Sequence, residues 1–474
     1  MQPQDFFRWS AIDMAREVRS KRVSPVDLVK ASLEAISRTE VKINAWCEVL
    51  QDQALARARQ LEAEALKGEL RGPLHGVPIG VKDLFLTAGV PTRKGSVLSA
   101  SFVPKETSPA VSRMLDAGAI MVGKNTTAET GWKAASTSPL TGVTRNPWSP
   151  DRTTGGSSSG SAAAVAAGTV PISLGSDGGG SLRIPASFCG VFSLKPTLGR
   201  VPTFPLSSSE QLSHAGALTQ TVADSALSLD VLQGAHAMDP NSLPHDPQGY
   251  LACLQEPAVR VRVAMCPTLF NHPVSPEVAR IVTGAFECIA QLSHVELSDL
   301  KPTWKDPIDV FDRLWVARVA SRIDDKEADL QKLDPGLARM IGAARGLSLA
   351  GHLQALQQRA VFSRQVSEAF EVVDLVITPT VPIEPFDAEL DGPKSMDLAT
   401  PVPWARWTPF TYPFNLTGHP AASVPCGWTS NGLPVGLQVV GPRFQEAKIL
   451  RFCADLETVF RWQERRPQVF AAHV

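Results

Sequence analysis

The beginning of the chain has the apolar spacing of helices. Apolar residues recur every three or four positions after Ser24, as on one buried face of a helix. These residues are Val26, Val29, Leu33 and Ile36. Ser10 and Ser24 are each followed three residues later by an aspartate, which is typical of a helix start. The pattern predicts that residues 1–70 form a helical N-terminal arm packed on the main body.

Further along, short apolar segments rich in β-branched residues alternate with helical stretches. They predict strands at VPIGVKDLF, IMVGKNT, VFSLK, VRVRVAM, DLVITPT, AASVPCG and GLQVVG. This alternation is typical of α/β proteins, so we predict a large mixed β-sheet core flanked by α-helices.

Three other segments carry predictions of their own. The small residues of SGSAAAVAAG predict a helix packed very closely against its neighbours. Residues 302–371 are charged and rich in alanine and leucine, which predicts helices, and we expect this part to vary with substrate. The proline-rich passage from Thr378 to Trp404 predicts a long surface loop.

Composition excludes several classes of partner. The chain has 474 residues with a formal net charge of −1, so no excess of positive charge predicts binding to nucleic acid or to an anionic membrane. No run of apolar residues is long enough for a spanning helix. The start, MQPQDFFRWSAIDMAREV, lacks the features of a secretory signal, and we expect a cytoplasmic protein.

The cysteines and histidines predict no metal site. The seven cysteines have no CxxC spacing, and the nine histidines form no HxxxH or HExxH pair. We expect reduced, mostly buried thiols.

Two serine-rich segments and one lysine carry the candidate chemistry. Residues 155–168 read GGSSSGSAAAVAAG, residues 176–185 read SDGGGSLRIP, and Lys82 is the only lysine of HGVPIGVK. A serine hydroxyl attacks at neutral pH only with a base in hydrogen-bond reach and donors where the oxyanion forms. Lys82, Ser157 and Ser181 supply such a set without a histidine, at separations of 75 and 24 residues.

This set resembles the amidase signature family, whose Ser-cisSer-Lys triad has the same order and closely similar separations. The resemblance also covers LHGVPIGVKDLF, TRNPW, GGSSSGSAAAVA, SDGGGSLRIPASFCG, LKPTLGRVP, NLTGHPAASVPCG and LPVGLQVVGPRFQE. It implies an α/β amidase signature fold with a catalytic domain over residues 71–474. It also implies hydrolysis of a small-molecule amide through an acyl-enzyme, with no metal or cofactor.

The resemblance assigns a role to each member of the triad. Ser181 is the nucleophile, and Ser157, which follows a cis peptide bond from Gly156, relays its proton to Lys82. Lys82 must be neutral to act as the base, and the apolar sequence around it is consistent with a pKa lowered by desolvation. The resemblance places three residues in a supporting hydrogen-bond network: Ser158, Asp177 and Arg183.

The glycines before Ser181 allow a sharp turn that exposes several N–H groups. We predict that this turn forms the oxyanion hole, from the backbone of Gly178, Gly179, Gly180 and Ser181. Taken alone, the motif also fits a glycine-rich turn with a capping serine.

Three competing motifs fit less well. Residues 156–160, GSSSG, match the GxSxG elbow of α/β-hydrolases, which would make Ser158 the nucleophile and His352 or His419 the base. The elbow needs a strand directly before it, but the preceding NPWSPDRTTGG has the composition of a loop. GAIMVGKN nearly matches a phosphate-binding loop, yet Asn125 replaces the hydroxyl and AIMV is strand-like. SDLK matches SxxK without an accompanying SDN or KTG.

The main functional alternative is the glutaminase subunit of a tRNA-dependent amidotransferase. That subunit resembles this chain in both serines, but it carries an aspartate seven residues before the asparagine of its NxxG motif to hold the amino group of glutamine. Here Asn415 opens NLTG and Thr408 stands at that position. Its arginine-rich stretch is also not recognisable in MIGAARGLSLAGHLQ. Both departures favour a stand-alone amidase.

The tryptophans suggest the substrate class. Counted back from Ser157, Gly131 and Trp132 fall where the family lines its acyl pocket, and Trp404 and Trp407 precede NLTG. Tryptophan in a large protein is also common in the core. A pocket built from these residues implies a fairly apolar or aryl amide, with esters or carbamates as further substrates. The oligomeric state stays open, a homodimer included.

Overall fold

The structure is a computed structural model that describes residues 9–205, 212–321 and 327–467. The strands, in chain order, are β1 (Trp46–Val49), β2 (Pro78–Lys82), β3 (Ile120–Asn125), β4 (Thr137–Ser138), β5 (Gly142–Val143), β6 (Arg145–Asn146), β7 (Ser149–Thr153), β8 (Ile172–Asp177), β9 (Phe192–Lys195), β10 (His214–Thr219), β11 (Val261–Met265), β12 (Val295–Asp299), β13 (Leu375–Pro379), β14 (Ala421–Trp428) and β15 (Pro434–Val440).

The helices are α1 (Ala11–Arg19), α2 (Pro25–Ile43), α3 (Gln51–Lys67), α4 (Pro109–Asp116), α5 (Ser159–Ala166), α6 (Arg183–Cys189), α7 (Val222–Leu232), α8 (Tyr250–Cys253), α9 (Pro276–Ile289), α10 (Ile308–Ala320), α11 (Glu327–Leu330), α12 (Pro335–Ala344), α13 (Leu349–Ala369), α14 (Tyr412–Leu416) and α15 (Glu446–Phe460). Short 3₁₀ turns lie at Val97–Ser99, Glu129–Gly131, Pro403–Trp407 and Trp462–Glu464. Across the three described ranges, no helix is both long and apolar enough to cross a membrane.

One large sheet organises the molecule. In the described residues it has eleven strands, in the order β1-β3-β2-β8-β10-β9-β14-β15-β13-β11-β12. β2 is parallel to β3 and β8, whereas β10 is antiparallel to β8 and β9. The apolar side chains of β2 cluster with those of α1, α7 and α15, and those of β3 cluster with α2, α3 and α5. The predicted α/β fold with a large mixed sheet between helices is confirmed.

The N-terminal arm contains the two predicted helix starts and one strand that was not predicted. Ser10 accepts a hydrogen bond from the N–H of Asp13, whose carboxylate accepts one from the N–H of Ser10, and Ser24 accepts one from Val26. β1 then pairs with β3 at the edge of the main sheet. Its four residues are too few to show a period in the sequence. The arm is therefore not purely helical.

Two further segments can be compared with their predictions. All eight residues of α5 are buried, and Ser161 donates to the carbonyl of Leu174 in β8, so the prediction of a closely packed helix is confirmed. The passage from Thr378 to Trp404 begins in β13 and then runs irregularly, but Val402 and Trp404 are buried. The prediction of a surface loop is wrong there, because apolar side chains anchor the passage in the core.

Residues 302–371 contain α10, α11, α12 and α13, in agreement with the predicted helices, apart from residues 322–326, which lie outside the described ranges.

Candidate active site

The ends of two parallel strands and one helix bring the candidate triad together. Lys82 is the last residue of β2, and the turn that contains Ser181 follows β8, the parallel neighbour of β2. Parallel strands end at the same edge of a sheet, so both residues lie there. Ser157 and Ser158 stand immediately before α5, which packs on both strands. We call Lys82, Ser157, Ser158, Ser176 and Ser181 the catalytic edge.

Lys82 is fully buried and surrounded by hydroxyl groups. Its Nζ lies 2.9 Å from Ser157 Oγ, 2.8 Å from Ser158 Oγ and 3.0 Å from Ser176 Oγ. Burial lowers the pKa of Lys82 well below its ordinary value, and the charge of Arg318 lowers it further against the opposing charge of Asp177. A neutral amine has two N–H donors and one lone pair, so it can donate to two of the hydroxyls and accept from the third.

The two serines of the proposed proton path differ in their contacts. The peptide bond between Gly156 and Ser157 is cis, as the resemblance implied. Ser181 is 6% exposed, and its carbonyl accepts from the N–H of Ser158 at 3.3 Å. Within the described residues, the hydroxyl of Ser181 makes no hydrogen bond, so Ser157 and Ser181 lie near each other without being bonded.

Asp177 and Arg183 form a fully buried ion pair behind the turn. Arg183 donates to Asp177 from Nε at 2.9 Å and from Nη2 at 3.0 Å. Burial alone raises the pKa of Asp177, but the charge and hydrogen bonds of Arg183 outweigh it and hold that pKa well below its ordinary value. Asp177 therefore stays ionised and accepts from the backbone N–H of Gly180 at 2.6 Å.

This last hydrogen bond bears on the predicted oxyanion hole. The N–H of Gly180 already has an acceptor, so it is the least suited of the predicted donors. In the described part of the chain, the N–H groups of Gly178, Gly179 and Ser181 have no protein acceptor.

Arg183 also reaches three residues that were not predicted as parts of the site. It donates to the carbonyl of Thr411 at 3.0 Å, to Gln438 Oε1 at 2.8 Å and to Asn415 Oδ1 at 2.6 Å. Asn415 opens the NLTG motif, which was a usable signal. Thr411 and Gln438 carry no such signal, because only tertiary packing brings residues so distant in the sequence to Arg183.

The predicted pocket residues fall into two groups. A Cβ atom on Gly131 would lie 3.1 Å from Ser157 Oγ, so Gly131 borders the catalytic edge. A Cβ atom on Gly179 would lie 2.6 Å from the ring of Trp404, so Trp404 packs against the glycine turn. Trp132 is buried, and its carbonyl accepts from the indole of Trp315 at 3.1 Å.

Trp407 belongs to a different environment. It stacks on Phe188 with ring centroids 6.1 Å apart and meets Phe386 edge to face at 5.2 Å. Trp407 and Trp404 belong to the same buried apolar cluster, but the ring contacts of Trp407 are with Phe188 and Phe386 and not with the glycine turn.

A group of aromatic rings packs against the glycine turn. Phe311 lies 5.6 Å from Trp404 and 5.0 Å from Tyr412, and Trp315 lies 5.0 Å from Trp404, between ring centroids. We call Phe311, Trp315, Trp404 and Tyr412 the aromatic wall. Phe311 and Trp315 were not predicted, although their four-residue spacing in α10 places them on one helical face.

A cavity of about 380 Å³ adjoins the catalytic edge at Ser176. Its walls include Thr130, His214 and Arg318, together with the apolar side chains of Leu84 and Phe204. None of the four predicted pocket residues lines it.

Two of the competing motifs, GSSSG and GAIMVGKN, are not assembled in the described residues. Ser158 bonds to Lys82 and to the backbone of Ser176, not to a histidine, and no strand of the described chain leads directly into it. His419 bonds instead to Thr417 and Ser367. GAIMVGKN lies largely in β3, where Lys124 donates to the carbonyl of Phe85, so it forms no phosphate-binding loop.

The chain belongs to the Amidase family, whose model matches residues 27–450. The predicted family resemblance is confirmed, and the protein is an enzyme that hydrolyses carbon–nitrogen bonds of amides.

Two curated relatives and one solved structure illustrate the range of the family. An acylamidase of Rhodococcus erythropolis is 32% identical over 98% of both chains. A glutamyl-tRNA(Gln) amidotransferase subunit of Synechococcus sp. (strain RCC307) is 36% identical over 92% of this chain and 94% of its own. The crystal structure of a bacterial aryl acylamidase is 27% identical and superimposes with a TM-score of 0.89, covering 96% of this chain and 98% of the other.

Proposed function

We propose that this protein is a stand-alone amidase for fairly apolar or aryl small-molecule amides, with Ser181 as nucleophile, Ser157 as proton relay and Lys82 as base. One observation carries the proposal: a fully buried lysine lies within hydrogen-bond distance of Ser157 and Ser158, and burial favours its neutral form. A neutral buried amine beside a serine hydroxyl is a base placed for proton transfer.

In the first half of the reaction, Ser181 Oγ bonds to the amide carbon while its proton passes to Ser157, and the proton of Ser157 passes to Lys82. The carbonyl π electrons move to the oxygen, which is held by the N–H groups of Gly178, Gly179 and Ser181. When the oxyanion collapses, the C–N bond breaks and the nitrogen takes a proton from Ser157, which recovers one from Lys82. The products are the free amine and the acyl-enzyme.

In the second half, water replaces the amine. Its proton passes through Ser157 to Lys82 as its oxygen bonds to the acyl carbon, and the bond to Ser181 Oγ then breaks. Ser181 recovers its proton by the same path, which releases the acid and restores the enzyme. The same oxyanion chemistry extends the proposal to esters and carbamates.

The substrate side of the proposal is supported by the shape of the site. The volume of the cavity at Ser176 lies within the roughly 300–1,000 Å³ usual for small-molecule sites. Three buried rings of the aromatic wall, Phe311, Trp315 and Trp404, pack directly against the glycine turn that precedes Ser181. The aryl acylamidase among the structural neighbours supports the same substrate class.

The glutaminase alternative has a specific observation in its favour, the 36% identity to one component of an amidotransferase. Against it, Thr408 is fully buried, and among the described residues its hydroxyl has only the carbonyls of Trp404 and Ala405 in reach, at 3.5 Å and 3.4 Å. No carboxylate stands at that position to hold an amino group.

A single assay separates the two functions. We expect the purified chain alone, in EDTA and without ATP or tRNA, to hydrolyse an anilide such as acetanilide. A chain that is silent on anilides, but releases ammonia from glutamine when mixed with the other components of an amidotransferase, would overturn the stand-alone proposal.

A further inference from the structure

We propose that Thr411 is a positioning residue whose hydroxyl orients the oxyanion-binding turn. The inference rests on the proposed function, since it concerns how the donors around Ser181 are held in place.

The peptide unit between Gly179 and Gly180 is held from both sides. Its carbonyl, on Gly179, accepts from Thr411 Oγ1 at 2.8 Å, and its N–H, on Gly180, donates to Asp177 Oδ1 at 2.6 Å. These two contacts fix the plane of the peptide. The flanking N–H groups of Gly179 and Ser181 take their directions from that plane, because they belong to the two peptide units joined to it.

Such a clamp is needed because the turn has no side chains of its own to restrict it. Three successive glycines span positions 178–180, and Gly180 has a φ of +130°, a conformation that side chains rarely adopt. A Cβ on Gly180 would lie 2.5 Å from Thr411 Oγ1 and 2.8 Å from Thr411 Cβ. Thr411 therefore packs directly on the turn as well as bonding to it.

Thr411 is itself held in place. It is fully buried, its N–H donates to Thr408 at 3.1 Å, and its carbonyl accepts from Arg183 at 3.0 Å. Because Arg183 is paired with Asp177, the hydrogen bonds close a ring through Asp177, the turn, Thr411 and Arg183. The hydroxyl has a second acceptor in reach, the carbonyl of Thr408 at 3.2 Å, but Gly179 is nearer.

Donors set in advance at the oxyanion stabilise the transition state without reorganisation. A residue that sets their direction acts on the chemical step and not on substrate binding, so its loss lowers kcat more than it raises KM. Thr411 reaches substrate only through the turn.

The test compares three variants with the wild type. Thr411→Val removes the hydroxyl while nearly keeping the shape of the side chain, and Thr411→Ser keeps the hydroxyl. Thr169→Val is the matched control, because Thr169 is also fully buried and its hydroxyl donates to the carbonyl of Ala164. The readouts are kcat and KM for an anilide, normalised by fluorophosphonate titration of active sites, and the inhibition constant of an aryl boronic acid, which forms a tetrahedral adduct with a serine.

We expect Thr411→Val to lower kcat by about 10- to 100-fold with KM within about twofold, the loss that small displacements of oxyanion donors produce. The inhibition constant of the boronic acid should rise by the same factor by which kcat/KM falls. Thr411→Ser should retain most of the activity, and Thr169→Val should keep the wild-type kcat per titrated site. Because kcat is calculated per titrated active site, a smaller fraction of folded protein does not lower it.

Two results would overturn the inference. Thr411→Val with wild-type kcat would show that the hydroxyl is dispensable, and a lower kcat with unchanged boronic acid affinity would show that the turn is not what changed. A wild-type enzyme that neither hydrolyses the anilide nor binds the boronic acid would instead refute the proposed function.

Discussion

The catalytic edge and the aromatic wall meet at the same glycine turn, but they are built from opposite kinds of side chain. The catalytic edge consists of one amine and four hydroxyls, three of them hydrogen-bonded to that amine. The aromatic wall consists of four rings in contact with one another, three of which, Phe311, Trp315 and Trp404, also contact the turn. Under the proposed function the two regions have different jobs: we expect the catalytic edge to decide whether any amide is cleaved, and the aromatic wall to decide which amides are cleaved best.

The largest expected effect is at the nucleophile. Ser181→Ala should abolish turnover of every amide and ester, because no acyl-enzyme can form. Steady-state rates on an anilide, acetamide and an activated ester check this. The matched control is Ser161→Ala, which should remain active. Ser161 is a buried serine of α5 whose hydroxyl donates to the carbonyl of Leu174. Residual turnover by Ser181→Ala near the wild-type rate would remove Ser181 from the mechanism.

The next effect separates substrates by leaving group. Lys82→Ala should remove amide cleavage while leaving part of the cleavage of an activated ester, whose leaving group needs no proton. The ratio of the two rates is the measurement. Lys124→Met is the control, because Lys124 is also buried and pairs with Val81, the neighbour of Lys82, on the parallel strand β3. Its Nζ bonds instead to the carbonyl of Phe85 and the hydroxyl of Thr92. It should keep the wild-type ratio. Equal losses on both substrates in Lys82→Ala would make Lys82 a structural residue.

The pH profile tests the same base without a mutation. Burial lowers the pKa of Lys82, so the neutral amine exists at a pH where an exposed lysine would be protonated. Amide kcat/KM should be highest on the alkaline side and should fall as pH drops through that pKa, by about tenfold per pH unit below it. Activity that rises toward acid pH would contradict a neutral amine as the base.

The smallest effect should come from the aromatic wall. Trp404→Ala should lower kcat/KM for an anilide relative to acetamide by about tenfold, the size of a lost apolar contact in a pocket. Trp407→Ala is the contrast, because Trp407 stacks on Phe188 in the core, and it should lower the melting temperature but leave the ratio unchanged. If both variants change the ratio equally, the aromatic wall has no special place in selectivity.

Trp132 tests the pocket at a second predicted position. It is 4% exposed, and a Cβ on Gly336 would lie 2.3 Å from its ring, so it packs tightly on α12. Trp132→Ala should also reduce anilide cleavage more than acetamide cleavage, with little change in fluorophosphonate labelling. Loss of all substrates in equal proportion, or of the fold, would make it a core residue only.

The sequence predicted the mixed sheet and the residues that form the catalytic edge, apart from Ser176, because motifs concentrate those residues in short segments. It did not predict β8 or β10, two central strands that read ISLGSD and HAGALT. Small residues dominate both, and strand preference depends on pairing and burial more than on intrinsic propensity. Ser176 was missed for a related reason, since only the pairing of β8 with β2 brings its hydroxyl to Lys82.

The aromatic wall was predicted less well than the catalytic edge. Trp404 was identified from its place before NLTG, but Phe311 and Trp315 lie about ninety residues earlier, on a helix that no motif marks. Trp407 was predicted to line the pocket, but its ring packs on Phe188 and Phe386 in the core. One 3₁₀ turn carries both tryptophans, and only tertiary packing decides which ring faces the glycine turn.

The central claim is that Ser181 carries the acyl group. The most direct measurement is peptide mass spectrometry of the wild-type enzyme after reaction with a fluorophosphonate, which locates the modified serine. The mechanism predicts a single adduct on Ser181, absent in Ser181→Ala. An adduct on Ser158 or Ser157 in the wild type, with Ser181 unmodified, would contradict it.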